Sequence, residues 1–275
     1  MNDSRAQATA LTDEQVPAQP AQPAQPVQSV QPVLEADALT LSWEHAEVVR
    51  NVSLKLFAGE LVCIIGRSGC GKTTLLHALA GLTQPTAGRV LVQGYDRTNQ
   101  PGTVSYMLQK DLLIPSKRVI DNVCLPLVIA GQRPHEARQH VADLFCKFGL
   151  EGCENKWPSQ LSGGMRQRVA FLRTYVMGNQ VVLLDEPFSA LDAITRVELR
   201  NWYRQVSREL QLASLVITHD VDEAISLADR VYVLHAQEGE PSTVSFELPI
   251  KRLSDEKFEL SQQFLDYKAQ LLAQL

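Results

Sequence analysis

Eight consecutive residues constrain this chain more than any others: Gly66-Arg-Ser-Gly-Cys-Gly-Lys-Thr73. They follow the apolar run Leu61-Val-Cys-Ile-Ile65, which reads as a buried strand, and they open the stretch Lys72–Ala80, whose pattern predicts a helix stopping at Gly81. A buried strand, a glycine-rich turn and a helix start in that order describe a phosphate-binding loop on an α/β sheet. Gly66, Gly69 and Gly71 let the backbone wrap closely, so that successive N–H groups and the helix N-terminus converge on an anion. Lys72 supplies a point charge for β- and γ-phosphates, and the Thr73 hydroxyl can ligate Mg²⁺. Arg67, Ser68, Cys70 and Thr74 belong to the same loop and complete the expected nucleotide-binding set.

Val181-Val-Leu-Leu-Asp-Glu-Pro187 supplies the second half of such a site. Four apolar residues ending in Asp185 describe a central strand with a carboxylate at its C-terminal edge, the edge at which open α/β sheets bind ligands. Asp185 is placed to hold the Mg²⁺ shell, directly or through water. Glu186 is placed to orient the water that attacks a γ-phosphate, or to accept its proton.

Around these two motifs, short β-branched runs alternate with helical stretches, the pattern of an α/β domain with a mainly parallel sheet. Val90–Val92, Val104–Met107, Ser214–Thr218 and Arg230–Leu234 read as further strands. Val119–Ala130, His135–Phe148, Leu161–Met177, Ala193–Leu210 and Asp220–Ala228 read as helices. Near the end Leu260, Phe264, Tyr267, Leu271 and Leu275 share a face at helical spacing, which predicts a stripe packed on the domain. The first 34 residues differ from all this. They hold five of the 14 prolines and seven glutamines, with Pro-Ala-Gln three times from Pro17 to Gln25, a composition expected to be disordered or transiently polyproline II. Ordered patterning is expected from about Ala38.

Length and charge narrow the class. A chain of 275 residues suits one large domain or two modest ones. With 26 Lys and Arg against 31 Asp and Glu, the chain lacks the basic excess of a nucleic-acid coat. Its apolar runs fall far short of the roughly 20 residues that span a bilayer. Its polar N-terminus does not resemble a secretory signal, so neither a membrane-spanning nor a secreted chain is expected. The five cysteines, Cys63, Cys70, Cys124, Cys146 and Cys153, include no C-x-x-C pair, which argues against a disulfide framework or a structural zinc site and fits a reducing compartment.

One more motif selects a branch: Leu161-Ser-Gly-Gly-Met165, followed by Arg-Gln-Arg168. Ser162 and the amides of Gly163 and Gly164 make a second anion site at a helix N-terminus, with no phosphate of its own nearby. With this motif the chain, over roughly Ala38 to Leu248, resembles the nucleotide-binding domain of ATP-binding-cassette (ABC) transporters. The resemblance implies an α/β fold: a P-loop NTPase core, RecA-like with a mainly parallel sheet, plus a small antiparallel β subdomain and an α-helical insert subdomain at about 111–159. The expected division is a tail at 1–34, the ATPase domain at 35–248 and a C-terminal helical extension at 249–275.

The resemblance also implies roles. Gln109 matches the glutamine that touches Mg²⁺ or water and links the core to the insert. Asp192, in Ser189-Ala-Leu-Asp192, matches an aspartate at the dimer interface, and His219 matches the switch histidine that reaches the γ-phosphate. Trp43 stands where the family places an aromatic on adenine. Implied are an ATPase using ATP and Mg²⁺, in a head-to-tail dimer whose Ser162, Gly163 and Gly164 cap the nucleotide held by the other copy. Further implied partners are an integral membrane permease and, indirectly, a solute-binding protein, but no nucleic acid. The implied location is the cytoplasmic face of the inner membrane, held there by the permease.

Tyr106-Met-Leu-Gln-Lys-Asp-Leu-Leu-Ile-Pro115, Arg118-Val-Ile-Asp-Asn-Val123 and Met165 look like the importer branch that handles nitrate, sulfonates, taurine, bicarbonate or thiamine precursors. Two residues depart from the pattern: Arg67 replaces the usual Pro, and Ser116 stands where this branch commonly has Trp. Two alternatives carry weaker support. A DNA-repair or ribosome-acting ABC ATPase would need a long coiled coil, a zinc hook or a second cassette. A small-molecule kinase would have no use for Leu161–Gly164 or Asp192.

Overall fold

The structure, a computed structural model, describes residues 31–44, 46–237, 239–252 and 258–275; the proline- and glutamine-rich tail lies, up to residue 30, outside the described residues. Strands β1 (Leu34–Trp43) and β2 (Ala46–Leu56) precede β3 (Leu61–Ile65), the phosphate loop and helix α1 (Lys72–Leu79). β4 (Ala87–Val92), β5 (Tyr95–Asp96) and β6 (Ser105–Met107) lead into four short helices, α2 (Val119–Val123), α3 (Leu125–Ile129), α4 (Pro134–Val141) and α5 (Leu144–Lys147). After α6 (Gly163–Tyr175) the chain alternates again, through β7 (Val181–Asp185), α7 (Ala193–Glu209), β8 (Ala213–Thr218), α8 (Val221–Leu227) and β9 (Arg230–His235). Edge strand β10 (Thr243–Pro249) and helix α9 (Gln262–Leu272) follow.

Two sheets result. One is four-stranded and antiparallel, in the order β2-β1-β4-β5; the other is six-stranded, in the order β10-β9-β3-β8-β7-β6, and parallel except for β10. The parallel strands β3, β7 and β8 are buried along their whole length because both faces are covered, which explains the apolar runs Leu61–Ile65, Val181–Leu184 and Leu215–Ile217. Their side chains alternate between two cores. Cys63, Ile65, Leu184 and Val216 face the layer of α2 to α8, whereas Val62, Ile64, Leu183 and Leu215 face α1 and the antiparallel sheet. The two sheets are stitched where Ser242 accepts from Arg50 N at 2.9 Å and donates its own N–H to the Val48 carbonyl at 2.9 Å.

Several expected elements differ in detail. Val119–Ala130, expected as one helix, is two, because Pro126 has no N–H for the carbonyl one turn back. His135–Phe148 is also split, with Ala142 N and Phe145 N making long bonds of 3.4 Å to carbonyls three residues earlier, while Val141, Phe145 and Phe148 all reach the core. Leu161 is extended, and α6 begins only after Ser162. Order begins before Ala38: β1 starts at Leu34, and its alternation is broken by register shifts around Ala38, a non-glycine residue at φ +52°. Leu260 does not join the packed stripe. It is 84% exposed in a 3₁₀ turn before α9, while Phe264 and Leu271 are buried as expected.

Candidate functional site

Neighbouring strands β3, β8 and β7 end side by side, and each delivers one loop at its C-terminal edge. After β3 the chain turns through Gly66–Gly71 into α1. Gly71 takes φ +89°, and a Cβ there would lie 2.8 Å from both Val48 Cγ1 and Val49 Cγ2, so the turn needs glycine. No side chain caps α1, whereas Ser162, Asp192, Asp220 and Ser261 cap α6 to α9. The same lack of a side-chain cap holds for α2 to α5; at α1 it leaves first-turn amides open beside the Gly66–Gly71 turn, where the helix dipole favours an anion. Lys72 is only 6% exposed, and its Nζ donates to the carbonyls of Gly66 at 2.8 Å and Arg67 at 3.0 Å. Burial pushes the Cys70 thiol up, against the pull of the Lys72 ammonium, so Cys70 is a packing group and not a thiolate.

After β7, buried Asp185 accepts from the Thr73 hydroxyl at 3.5 Å through Oδ1 and from the Tyr106 hydroxyl at 3.3 Å through Oδ2. Burial raises the Asp185 pKa, while the bond from Tyr106 opposes that rise by favouring the carboxylate. Burial and then the Asp185 charge push the Tyr106 phenol well above its ordinary range, so it stays a donor.

Glu186 follows in a left-handed backbone, φ +43°, a conformation that costs a non-glycine residue about 1–3 kcal/mol and is concentrated at functional sites. It is held there at both ends of its peptide. Glu186 N donates to the Ile217 carbonyl at 3.0 Å, and its own carbonyl accepts from Ser189 Oγ at 3.0 Å. Its carboxylate is met from two sides: His219 Nδ1 lies 3.2 Å from Oε1, and Gln109 Nε2 donates to Oε2 at 3.3 Å. Loops after β6, β7 and β8 thus converge on one side chain. Gly66, Arg67, Ser68, Glu186 and His219 border a cleft of about 520 Å³, which Leu275 also lines. A larger cleft of about 690 Å³, along α7 at Asn201, Arg204 and Gln205, contains none of the expected site residues.

The remaining expected residues lie apart. Ser162 caps α6 by accepting from Met165 N at 3.3 Å, and Ser162 and Gly164 open on a separate cavity of about 290 Å³ shared with Arg168, Thr195 and Glu198. Gly164 is there for close approach, since a Cβ would sit 2.8 Å from Thr195 Cγ2 of α7. Gly163 lies against Leu191. Asp192 caps α7 through Thr195, and those hydrogen bonds hold its carboxyl below the usual range. Trp43 ends β1 with 65% of its surface exposed. Among the described residues, no hydrogen bond or ion pair joins Ser162, Asp192 or Trp43 to the Gly66–Thr73 loop.

Three further residues went unread in the sequence. Tyr106 is one. Arg196 is another: it donates to the Leu191 carbonyl at 2.9 Å and lies 3.8 Å from Asp220, tying the Asp192 loop to the His219 loop; its signal was an Arg one helical turn after Asp192. Glu223 is the third, only 3% exposed, with Oε1 lacking a hydrogen-bond partner. Burial lifts its pKa from 4.5 to about 7; Asp220 adds to the rise, and the Thr218 hydroxyl, Arg200 and Arg196 oppose it. The folded state therefore holds a proton that the unfolded chain releases. The stability contributed is complete below the lower value and is lost as pH climbs through about 7. Glu223→Gln is expected to flatten the pH dependence of thermal unfolding between about pH 5 and 8, and to exceed the parent by about 1–3 kcal/mol at the upper end. An unaltered pH slope in the variant contradicts this.

Comparison with known proteins identifies the family. The family model described as ABC transporter matches residues 49–189, a span that includes the Gly66–Thr73 loop, Gln109, Ser162–Gly164, Asp185 and Glu186. The chain is 41% identical over 196 residues to an uncharacterized ABC transporter ATP-binding protein, YtlC, of Bacillus subtilis, covering 71% of this chain and 75% of that protein. It is 40% identical over 235 residues to the aliphatic sulfonates import ATP-binding protein SsuB 1 of Shouchella clausii, covering 83% of this chain and 90% of that protein. Its fold matches the dimeric, post-hydrolysis ATP-binding cassette MJ0796 bound to ADP and Pi, with a TM-score of 0.67 and 27% identity over 80% of this chain and all of the other. With relatives matching along most of its length and the family model spanning residues 49–189, the chain belongs to the ABC transporter family.

Proposed function

We propose that this chain is the ATP-hydrolysing subunit of an importer, acting as a head-to-tail pair of copies on a separate membrane permease that takes up a small anion. The observation that carries this reading is the division of the site. Lys72, Gln109, Asp185, Glu186 and His219 gather at one sheet edge, while Ser162 and Gly164 open elsewhere and need a phosphate brought to them.

In this reading the amides of the loop and of the α1 N-terminus take the β- and γ-phosphates. Lys72 exchanges the carbonyls of Gly66 and Arg67 for phosphate oxygens. Glu186 orients a water and accepts its proton as the new O–P bond forms and the bond to the β,γ-bridging oxygen breaks, leaving ADP and phosphate. His219 and Gln109, already on the Glu186 carboxylate, reach the γ-phosphate and the water. The second copy contributes Ser162, Gly163 and Gly164 over the γ-phosphate and Asp192 at the interface, and Trp43 stacks on adenine.

The Thr73 hydroxyl and Asp185 Oδ1, 3.5 Å apart, are hard oxygen donors that fit Mg²⁺. Among the described residues, no cluster of three or more His, Cys, Asp or Glu offers a metal cage, as suits an ion that completes its shell with water and phosphate. When bound, Mg²⁺ supplies positive charge against that developing on the phosphates.

Transmission to the permease is assigned to the insert at 111–159. Arg166 of α6 lies 3.2 Å from Asp111, and Arg173 donates to the carbonyls of Asp111 and Leu112, so the Ser162 helix is bolted to the segment after Gln109. Leu112 and Ile129 are exposed there, 54% and 78%, and offer apolar surface to a partner. No helix among the described residues is long and apolar enough to cross a membrane, so attachment at the cytoplasmic face is assigned to the permease. The name of the Shouchella clausii relative supports a sulfonate-type anion; in this reading a solute-binding protein delivers it to the permease. Replacing Lys72 by Ala in the native cells is expected to abolish uptake of labelled ethanesulfonate. Normal uptake in that strain overturns the assignment of sulfonate import to this chain.

A further inference from the structure

We propose that Tyr106 is a positioning residue for the cation-carrying carboxylate: its hydroxyl fixes one oxygen of Asp185 so that the other is presented beside Thr73. This rests on the Mg²⁺ site proposed above. Tyr106 sits in the middle of β6, paired with Leu183 of β7. The alternation of the strand sends Met107 into the helical-layer core and Tyr106 to the opposite face, over α1. There its ring stands edge-on to His77, centroids 5.7 Å apart at 89°. With the ring held between strand and helix, the hydroxyl has little freedom, and it meets Asp185 Oδ2 at 3.3 Å. The Thr73 hydroxyl lies 3.5 Å from the other oxygen, Oδ1.

A carboxylate with one oxygen engaged by a rigid donor cannot rotate to exchange its oxygens without losing that bond. Tyr106 therefore sets the direction in which Oδ1 points. A phenylalanine would fill the same space against His77, so the hydroxyl has no packing purpose. Outer partners that orient metal-ligating carboxylates are generally worth about 10–100-fold in metal affinity. The same strand runs on to Gln109 within three residues, so one segment places both the group that steers Asp185 and the group on Glu186.

Tyr106→Phe removes only the hydroxyl. In a Glu186→Gln background, where ATP is consumed only slowly, Mn²⁺ titrated into the ATP-bound chain and followed by electron paramagnetic resonance is expected to bind about tenfold more weakly in Tyr106→Phe. With Glu186 intact, the half-saturating Mg²⁺ concentration for hydrolysis is expected to rise by a similar factor. At saturating Mg²⁺ kcat is expected to stay within about twofold, and melting in EDTA to be unchanged. Asp185→Asn is the companion variant. Parental Mn²⁺ affinity in Tyr106→Phe, with affinity lost in Asp185→Asn, overturns the role of Tyr106 and leaves the site standing. Retained Mn²⁺ affinity in Asp185→Asn overturns the site itself.

Discussion

Glu186→Gln is expected to bind ATP at least as tightly as the parent chain, to hydrolyse it about 10²–10⁴-fold more slowly, and to accumulate as a closed pair of copies. The size follows from what is removed. A positioned general base contributes about that factor, and the amide keeps the shape while losing the ability to take a proton. The geometry adds a second effect. His219 Nδ1 and Gln109 Nε2 both approach the carboxylate, each on its own oxygen. An amide presents one acceptor and one donor, so Gln109 keeps its bond to the oxygen only if His219 Nδ1 switches to accepting from the new amide nitrogen. The third effect is electrostatic, since a carboxylate beside an incoming γ-phosphate repels it and its neutral replacement does not. Loss of turnover and a longer-lived closed pair are therefore coupled outcomes of one substitution. Phosphate release in a single turnover reads the first, and light scattering with and without ATP reads the second. Turnover within a few-fold of the parent would remove Glu186 from its role.

The parts of this site that could be read in the sequence are those whose chemistry is local. A loop that wraps a phosphate must be contiguous, so Gly66 to Thr73 announced itself, as did Asp185 and Glu186 at the end of a strand buried on both faces. Helix starts near Asp192 and Asp220 were legible for the same reason, because a cap acts three residues down the chain, whereas α6 was expected from Leu161 and begins after its Ser162 cap. Most of what escaped depended on distant partners. β1 hides its period of two behind the kink at Ala38; edge strand β10 does alternate, polar and apolar, through Thr243-Val-Ser-Phe-Glu-Leu248, and that signal was passed over in the sequence. A tyrosine in a short strand reads as packing until the fold brings its hydroxyl to Asp185, 79 residues away. Glu223 carried no readable signal, since the largest cause of its perturbation is burial, with Asp220 three residues before it only adding to the rise.

The division of the catalytic parts between two copies predicts complementation. Lys72→Ala spoils the phosphate loop of its own copy, and Ser162→Arg spoils the cap it lends to the partner. Losing the Ser162 cap costs about 1 kcal/mol of helix stability, which leaves the fold intact. Each variant alone is expected to lose essentially all ATP hydrolysis. In a two-fold arrangement, a mixed pair places the intact loop of one copy against the intact Ser162 of the other, while the opposite site carries both lesions. Equal mixing gives half mixed pairs with one good site of two, so about a quarter of the parental rate is expected to return. The rate of the mixture, measured against each variant alone, is the most direct test of a site shared between copies. Recovery to about that fraction is the predicted result; a mixture no faster than its components, or full activity in Ser162→Arg alone, contradicts it.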